Sequence, residues 1–258
     1  MARAKRHYIP GHAWHITQRC HKRDFLLKFP RDRRRWIEWL YRARKKYPGL
    51  SVLDNMVTSN HIHLLVYDTG GRNVIPDSIK LIGGRTGQEY NIRKNRKGAF
   101  WEDRYHATAV ESGRYLRQCI AYIDMNMVRA GVVKHPSEWG FCGYNEIQNP
   151  RKRKGIIDFN RLIGLLGLES YEDLKDSHFK WIESRIEKAS SKRELKWSQS
   201  VAVGSAEYLE KIKRNLGFRA KGRKIIDSGG IFELREGLEP CRFPDRLGCT
   251  NISRWNKR

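Results

Sequence analysis

Apolar positions follow two periods along the first 130 residues. Ala13–Arg19 alternates and reads as a strand. Between Asp32 and Tyr47 the apolar residues Trp36, Leu40 and Ala43 recur at helical spacing, and Pro48-Gly49 ends the helix. Leu50–Val57 reads as a second strand and His61–Tyr67 as a third. On the third, Ile62, Leu64 and Val66 share one face, and His61, His63 and Leu65 share the other. Ser59-Asn60 supplies the tight turn of a hairpin between them. Pro76–Asn91 reads as a helix weakened by Gly83-Gly84. Arg104–Val110 is a fourth strand, and Gly113–Ala130 is a helix closed by Gly131. The order β-α-β-β-α-β-α predicts an α+β fold. Its first six elements make a ferredoxin-like antiparallel sheet with helices mainly on one face.

The run Asn149-Pro150-Arg151-Lys152-Arg153-Lys154-Gly155 suits a solvated linker, dividing a domain at 1–150 from a basic extension at 151–258. The extension reads as mostly helical. Ser170-Tyr171-Glu172-Asp173 is a capping-box signature, and Ala206–Leu216 is a helix stopped by Gly217.

Charge changes the picture. The 258 residues carry a formal +24, with about +12 in residues 1–50, +2 in 51–150 and +10 in 151–258. A near-neutral middle between two cationic ends suits a reacting centre flanked by surfaces that grip a polyanion, nucleic acid first among them. A generically basic surface is the plainer alternative. No apolar run approaches the length of a membrane helix, and no apolar segment follows the basic N-terminus. Neither a membrane protein nor a secreted one is therefore expected. The five cysteines (20, 119, 142, 241 and 249) have no CxxC spacing and read as reduced thiols of a cytoplasmic protein. No P-loop motif occurs, so no nucleotide cofactor is expected.

Two places could carry chemistry. His61 and His63 are i and i+2 on one strand, so both imidazoles can approach one divalent ion. Two half-exposed histidines without a metal are the competing reading, since chance alone gives about 0.3 such pairs in a chain of this composition. On the helix after the fourth strand, Leu116, Ile120, Ile123 and Met127 form a core stripe. Tyr122 and Asn126 lie together beside it, one turn apart. Tyr115 lies on nearly the same angular line as Tyr122, and helix geometry does not choose between them.

Taken in order, three segments resemble the REP-associated tyrosine transposases, relatives of the single-tyrosine transposases of the HUH endonuclease superfamily. They are Asn60-His61-Ile62-His63-Leu64-Leu65, Phe100-Trp101-Glu102-Asp103-Arg104-Tyr105-His106, and Tyr122-Ile123-Asp124-Met125-Asn126-Met127-Val128-Arg129-Ala130-Gly131. His15-Ile16-Thr17-Gln18-Arg19, Glu138-Trp139 and Gly143-Tyr144 extend the resemblance, which covers about residues 5–147. It implies a metal-dependent endonuclease and strand transferase for single-stranded DNA beside a hairpin. His61, His63 and Asn126 would bind Mg²⁺ or Mn²⁺, and Tyr122 would form a 5′-phosphotyrosine. It also implies DNA contacts from a basic N-terminal arm (Arg3, Lys5, Arg6, Tyr8), joined by Arg104. A monomer acting at the nucleoid is favoured, and a dimer is the alternative. Relatives commonly carry proline after this asparagine. Met127 stands there instead, so the helix is expected to be more continuous. Trp36 and Trp39 are read as core residues in preference to base-stacking ones. Arg214, Arg219, Lys221, Arg223 and Lys224 suit either a phosphate-binding stretch or a solvated helix end. A non-catalytic hairpin-binding protein and a rolling-circle initiator nuclease are the alternative functions.

Overall fold

β1 (Ala13–Arg19) is an interior strand of the sheet because both its edges find antiparallel partners, β3 (His61–Asp68) on one side and β4 (His106–Val110) on the other. The computed structural model describes residues 9–69, 71–188, 194–227 and 230–236. Arg3, Lys5, Arg6 and Tyr8 lie outside the described residues, as do Cys241 and Cys249. Cys20, Cys119 and Cys142 are buried free thiols. No helix among the described residues is long and apolar enough to cross a membrane.

β2 (Leu50–Val57) pairs with β3 through the expected hairpin, with a register shift between Val52 and Asp54. α1 (Pro30–Lys46) starts on proline and α2 (Val74–Arg93) follows β3. The two pack on the face that carries Ile16, Ile62, Leu64 and Val66. Gly83 and Gly87 of α2 have a packing reason, since a Cβ at Gly83 would lie 3.1 Å from Trp101 Nε1 and one at Gly87 3.0 Å from Phe100 Cβ, whereas one at Gly84 would meet nothing within 4 Å. Trp101 Nε1 also donates to the Gly83 carbonyl at 3.0 Å.

Both helices of the first six elements thus lie on one face, as the pattern predicts, while the seventh element does not. α3 (Arg114–Asp124) packs on the opposite face with Leu53, Met56 and Leu65. It is joined there by α5 (Tyr144–Gln148), α6 (Phe159–Leu166) and α7 (Tyr171–Glu187). The short α4 (Asn126–Arg129) continues α3 after a break. Cap chemistry matches the sequence at α7, where Ser170 Oγ accepts from the Asp173 N–H at 3.0 Å.

The extension is not purely helical. After α8 (Lys196–Gln199) it adds β5 (Ala202–Gly204), parallel to β4. α9 (Ala206–Leu216) follows, and β6 (Arg223–Asp227) and β7 (Phe232–Glu236) complete the sheet. Among the described residues the sheet has seven strands in the order β2-β3-β1-β4-β5-β7-β6. A four-stranded sheet would leave β4 as an exposed edge, and β5 covers it. The Ala109 and Glu111 N–H groups donate to the Val201 and Val203 carbonyls at 2.9 and 3.1 Å. Trp197 and Leu162 of the extension are fully buried in the core beneath α3. The compositional change near residue 150 is thus not a break in packing.

Candidate active site

β3 alternates, so the face opposite the Ile62 core presents His61 and His63. β1 is in register beside it, with Thr17 opposite His63 and His15 opposite Leu65, which puts His15 on the same face. α3 crosses this face with its C-terminal half. There Tyr122 approaches His63, with ring centroids 5.9 Å apart and planes nearly perpendicular. The His61 and His63 rings are 5.0 Å apart. Asn126 Nδ2 lies 3.0 Å from His63 Nε2. These four residues line one open cleft of about 710 Å³ with Arg19, Arg104, His106, Arg129, Ser198 and Gln199. Glu102 and Asp103 also line it, so its rim carries both signs.

The tyrosine ambiguity is resolved in position. Tyr122, only 2% exposed, lies at the floor of this cleft. Tyr115 is buried two turns earlier, its hydroxyl accepting from Arg114 at 2.5 Å, and that arginine also donates to the Gly230 carbonyl.

The helix does not run on through Asn126. The Met125 N–H reaches both the Ala121 and Ile123 carbonyls, and its ψ of 2° flattens the turn. The Tyr122 carbonyl, which a regular helix offers to residue 126, accepts from the Arg129 guanidinium at 2.8 Å. Arg129 thereby folds back over the Tyr122 ring, 4.2 Å from its centroid. Burial lowers the Arg129 pKa, and the neighbouring Tyr122 opposes that shift. The break occurs without a proline.

Three features of the site went unassigned in the sequence. His15 lies edge to edge with His63, the ring planes parallel and the centroids 5.1 Å apart, its Nε2 2.9 Å from His63 Nδ1 and its Nδ1 2.9 Å from the Trp197 carbonyl. Burial pushes the His15 imidazole down to about 3, with the Trp197 bond opposing and His106 adding to the fall. Trp197, from the extension, lies 6.0 Å from the Tyr122 ring. Arg129 is the third. Strand parity alone marks His15 as sharing a face with His63. No local signal marks Trp197.

The other sequence candidates fall elsewhere. Arg104 is exposed on the cleft rim, in the loop before β4. Trp36 is in the core as read. Trp39 is half-buried against that core and surrounded by the guanidiniums of Arg35, Arg42 and Arg85 at 4.7 to 5.7 Å. Of the basic group near Gly217, Arg223 is buried and donates to the Arg219 carbonyl, while Arg214, Arg219, Lys221 and Lys224 are exposed.

Could these residues hold a divalent cation? Thr58 Oγ1 spends its proton on the His61 carbonyl at 2.8 Å. It therefore faces His61 Nδ1, 2.9 Å away, as an acceptor, and Asn60 Oδ1 at 2.8 Å is another. A neutral His61 then carries its proton on Nδ1 and has its lone pair on Nε2, the form that ligates. Rotation of the Asn126 amide would exchange its nitrogen for an oxygen ligand. Among the described residues no group of three or more His, Cys, Asp or Glu is placed to hold a metal. A cation here would rest on two imidazoles and an amide, an N and O donor set without thiolate.

Residues 9–126 match the family profile described as "Transposase IS200 like". No curated protein matches the chain. Among solved structures, a REP-associated tyrosine transposase bound to a REP hairpin is similar at 20% identity, covering 62% of this chain and 95% of its own, with a TM-score of 0.49. A Deinococcus radiodurans R1 protein assigned as a transposase is similar at 18% identity, covering 46% and 92%, with a TM-score of 0.34.

Proposed function

We propose that residues 9–126, which match the IS200-like transposase profile, form a transposase domain, and that the protein cuts and rejoins single-stranded DNA beside a hairpin through a 5′-phosphotyrosine at Tyr122. The observation that carries this reading is the meeting of Tyr122, His61, His63 and Asn126 in one cleft.

Attack of Tyr122 Oη on the phosphorus forms one P–O bond as the bond to the 3′ oxygen breaks. The phenol gives up its proton and the departing oxygen gains one, leaving a free 3′-OH. One ester replaces another, so a later 3′-OH can attack the phosphotyrosine and rejoin strands without a nucleotide cofactor. A Mg²⁺ or Mn²⁺ ion held by His61, His63 and Asn126 would supply Lewis-acid polarisation of a non-bridging phosphate oxygen. The chain's own groups position the nucleophile. Arg129 covers one face of the Tyr122 ring, while His15, His63 and Trp197 pack around it, so the ring plane is set before DNA arrives. Arg19 and Arg104 on the rim are suited to the DNA backbone. Tyrosine and imidazoles of a single chain already meet, which supports a monomer as the active unit.

The test is a denaturation-resistant protein–DNA adduct, formed with hairpin-bearing single-stranded DNA and Mn²⁺. Tyr122→Phe should abolish it and Tyr115→Phe should retain it. An adduct with both variants refutes the assigned nucleophile, and one that forms in excess chelator refutes the metal.

A further inference from the structure

A carbonyl oxygen only accepts, so the 2.9 Å contact between the Trp197 carbonyl and His15 Nδ1 is donated by His15. His15 is wholly buried, and its two ring nitrogens are engaged by that carbonyl and by His63. A charged imidazolium there would be desolvated without a carboxylate partner at either nitrogen, so the ring is neutral and its single proton sits on Nδ1. Its Nε2 is then a lone pair. The neighbouring His63 Nδ1, 2.9 Å away, must donate to it. That consigns the one proton of a neutral His63 to Nδ1 and leaves His63 Nε2 bare. The opposite end of the chain agrees: the Asn126 amide nitrogen, a donor, lies 3.0 Å from His63 Nε2 and needs an acceptor there.

We propose that His15 and the Trp197 carbonyl form a positioning relay that locks His63 in the tautomer whose Nε2 can take a divalent cation. The relay completes, from a segment outside the transposase domain, a site that lies within it. This rests on the reading of His63 as a ligand. His61 reaches the same tautomer by a separate route, through Thr58 and Asn60 of the hairpin turn. The two histidines of one strand are thus preset by two unconnected sets of partners. A ring free in water samples both tautomers, whereas a ligand held in one binds without that selection. The extension therefore does more than cover the β4 edge. Its backbone at residue 197 orders the imidazole that faces the tyrosine.

The experiment uses the full chain with ¹⁵N-labelled histidine. In metal-free protein, long-range ¹H–¹⁵N spectra should give His63 a protonated Nδ1 and an unprotonated Nε2. His15→Leu removes the acceptor, so His63 should become a mixture of tautomers. Mn²⁺ affinity, read from the EPR signal of free Mn²⁺, should fall by about 10- to 100-fold, the usual cost of losing an outer-shell partner. His15→Gln keeps an acceptor at the same place and should restore affinity to near wild type. A wild-type His63 protonated on Nε2 overturns the proposal without any variant. So does a His15→Leu protein that keeps both the tautomer and the affinity. A wild-type protein that binds no Mn²⁺ removes the ligand reading of the previous section, and the metal-free spectrum still decides whether His15 sets the tautomer.

Discussion

Lowering the pH from 7 to 5 should cost the metal-free protein about 2 kcal/mol through His15 alone. The unfolded imidazole titrates near 6.5, and burial in the folded protein pushes it to about 3. Between those values the unfolded chain binds a proton that the folded chain refuses. The stability is therefore fully present above about 6.5, and it falls by about 1.4 kcal/mol per unit as the pH drops toward 3. One and a half units of that window lie above pH 5, which gives about 2 kcal/mol. The result does not depend on the native value closely, because any value below about 4 gives the same loss over this range. Asp54 works in the other direction: burial, then the charge of Asp124, raises its pKa, so it recovers stability as the pH falls. A difference measurement isolates His15. Urea unfolding of wild type and of His15→Gln at pH 5, 6 and 7, both with EDTA, should give ΔG curves that diverge by about 2 kcal/mol, the variant losing less. Parallel curves would refute a buried neutral His15, and with it the proton placement drawn for His63.

Three other expectations are as direct. A Cβ at Gly143 would lie 2.0 Å from Asp54 Oδ1, whose carboxyl is fully buried and bonded to the Asn55 N–H. Gly143→Ala should lower stability by about 1–3 kcal/mol in denaturant titration, and a change under about 0.5 kcal/mol would show that the Asp54 side chain moves aside freely. Arg129→Met keeps the aliphatic stem and loses both the bond to the Tyr122 carbonyl and the cation over its ring. Adduct formation should slow by about 10- to 100-fold while hairpin affinity shifts by less than about threefold. An unchanged rate would reduce Arg129 to a helix-end prop. A chain ended at residue 150 loses β5 and Trp197, and so bares the β4 edge and the ring of Tyr122. It should aggregate or melt without cooperativity, and a monomeric fragment with a sharp transition would contradict the shared core.

What could be read from the chain, and what could not, divides by the range of the interaction. The first four strands were legible because each has a face: Ile62, Leu64 and Val66 against His61, His63 and Leu65 is a pattern that local alternation carries by itself. The side of the sheet that α3 covers was not legible, because a helical stripe states that a helix packs, not on which side. β5 was missed for a similar reason. It is three residues long and pairs in parallel with β4, ninety positions earlier, so nothing near Ala202 announces it. Tyr115 and Tyr122 are equivalent on a helical wheel; only the crossing of α3 over β3 separates them. The helix break at Met125 has no breaker residue to announce it, and the Tyr122 carbonyl it frees is taken up by a guanidinium seven residues on. The same logic explains the site itself. Its visible part, the two histidines, the tyrosine and the asparagine, lies on two short segments with readable periods. Its supporting part joins His15 to the Trp197 carbonyl across 182 positions, and that bond is fixed only once the extension has joined the sheet. The chemistry proposed at Tyr122 thus depends on the folding of residues well outside the segment that matches the transposase profile.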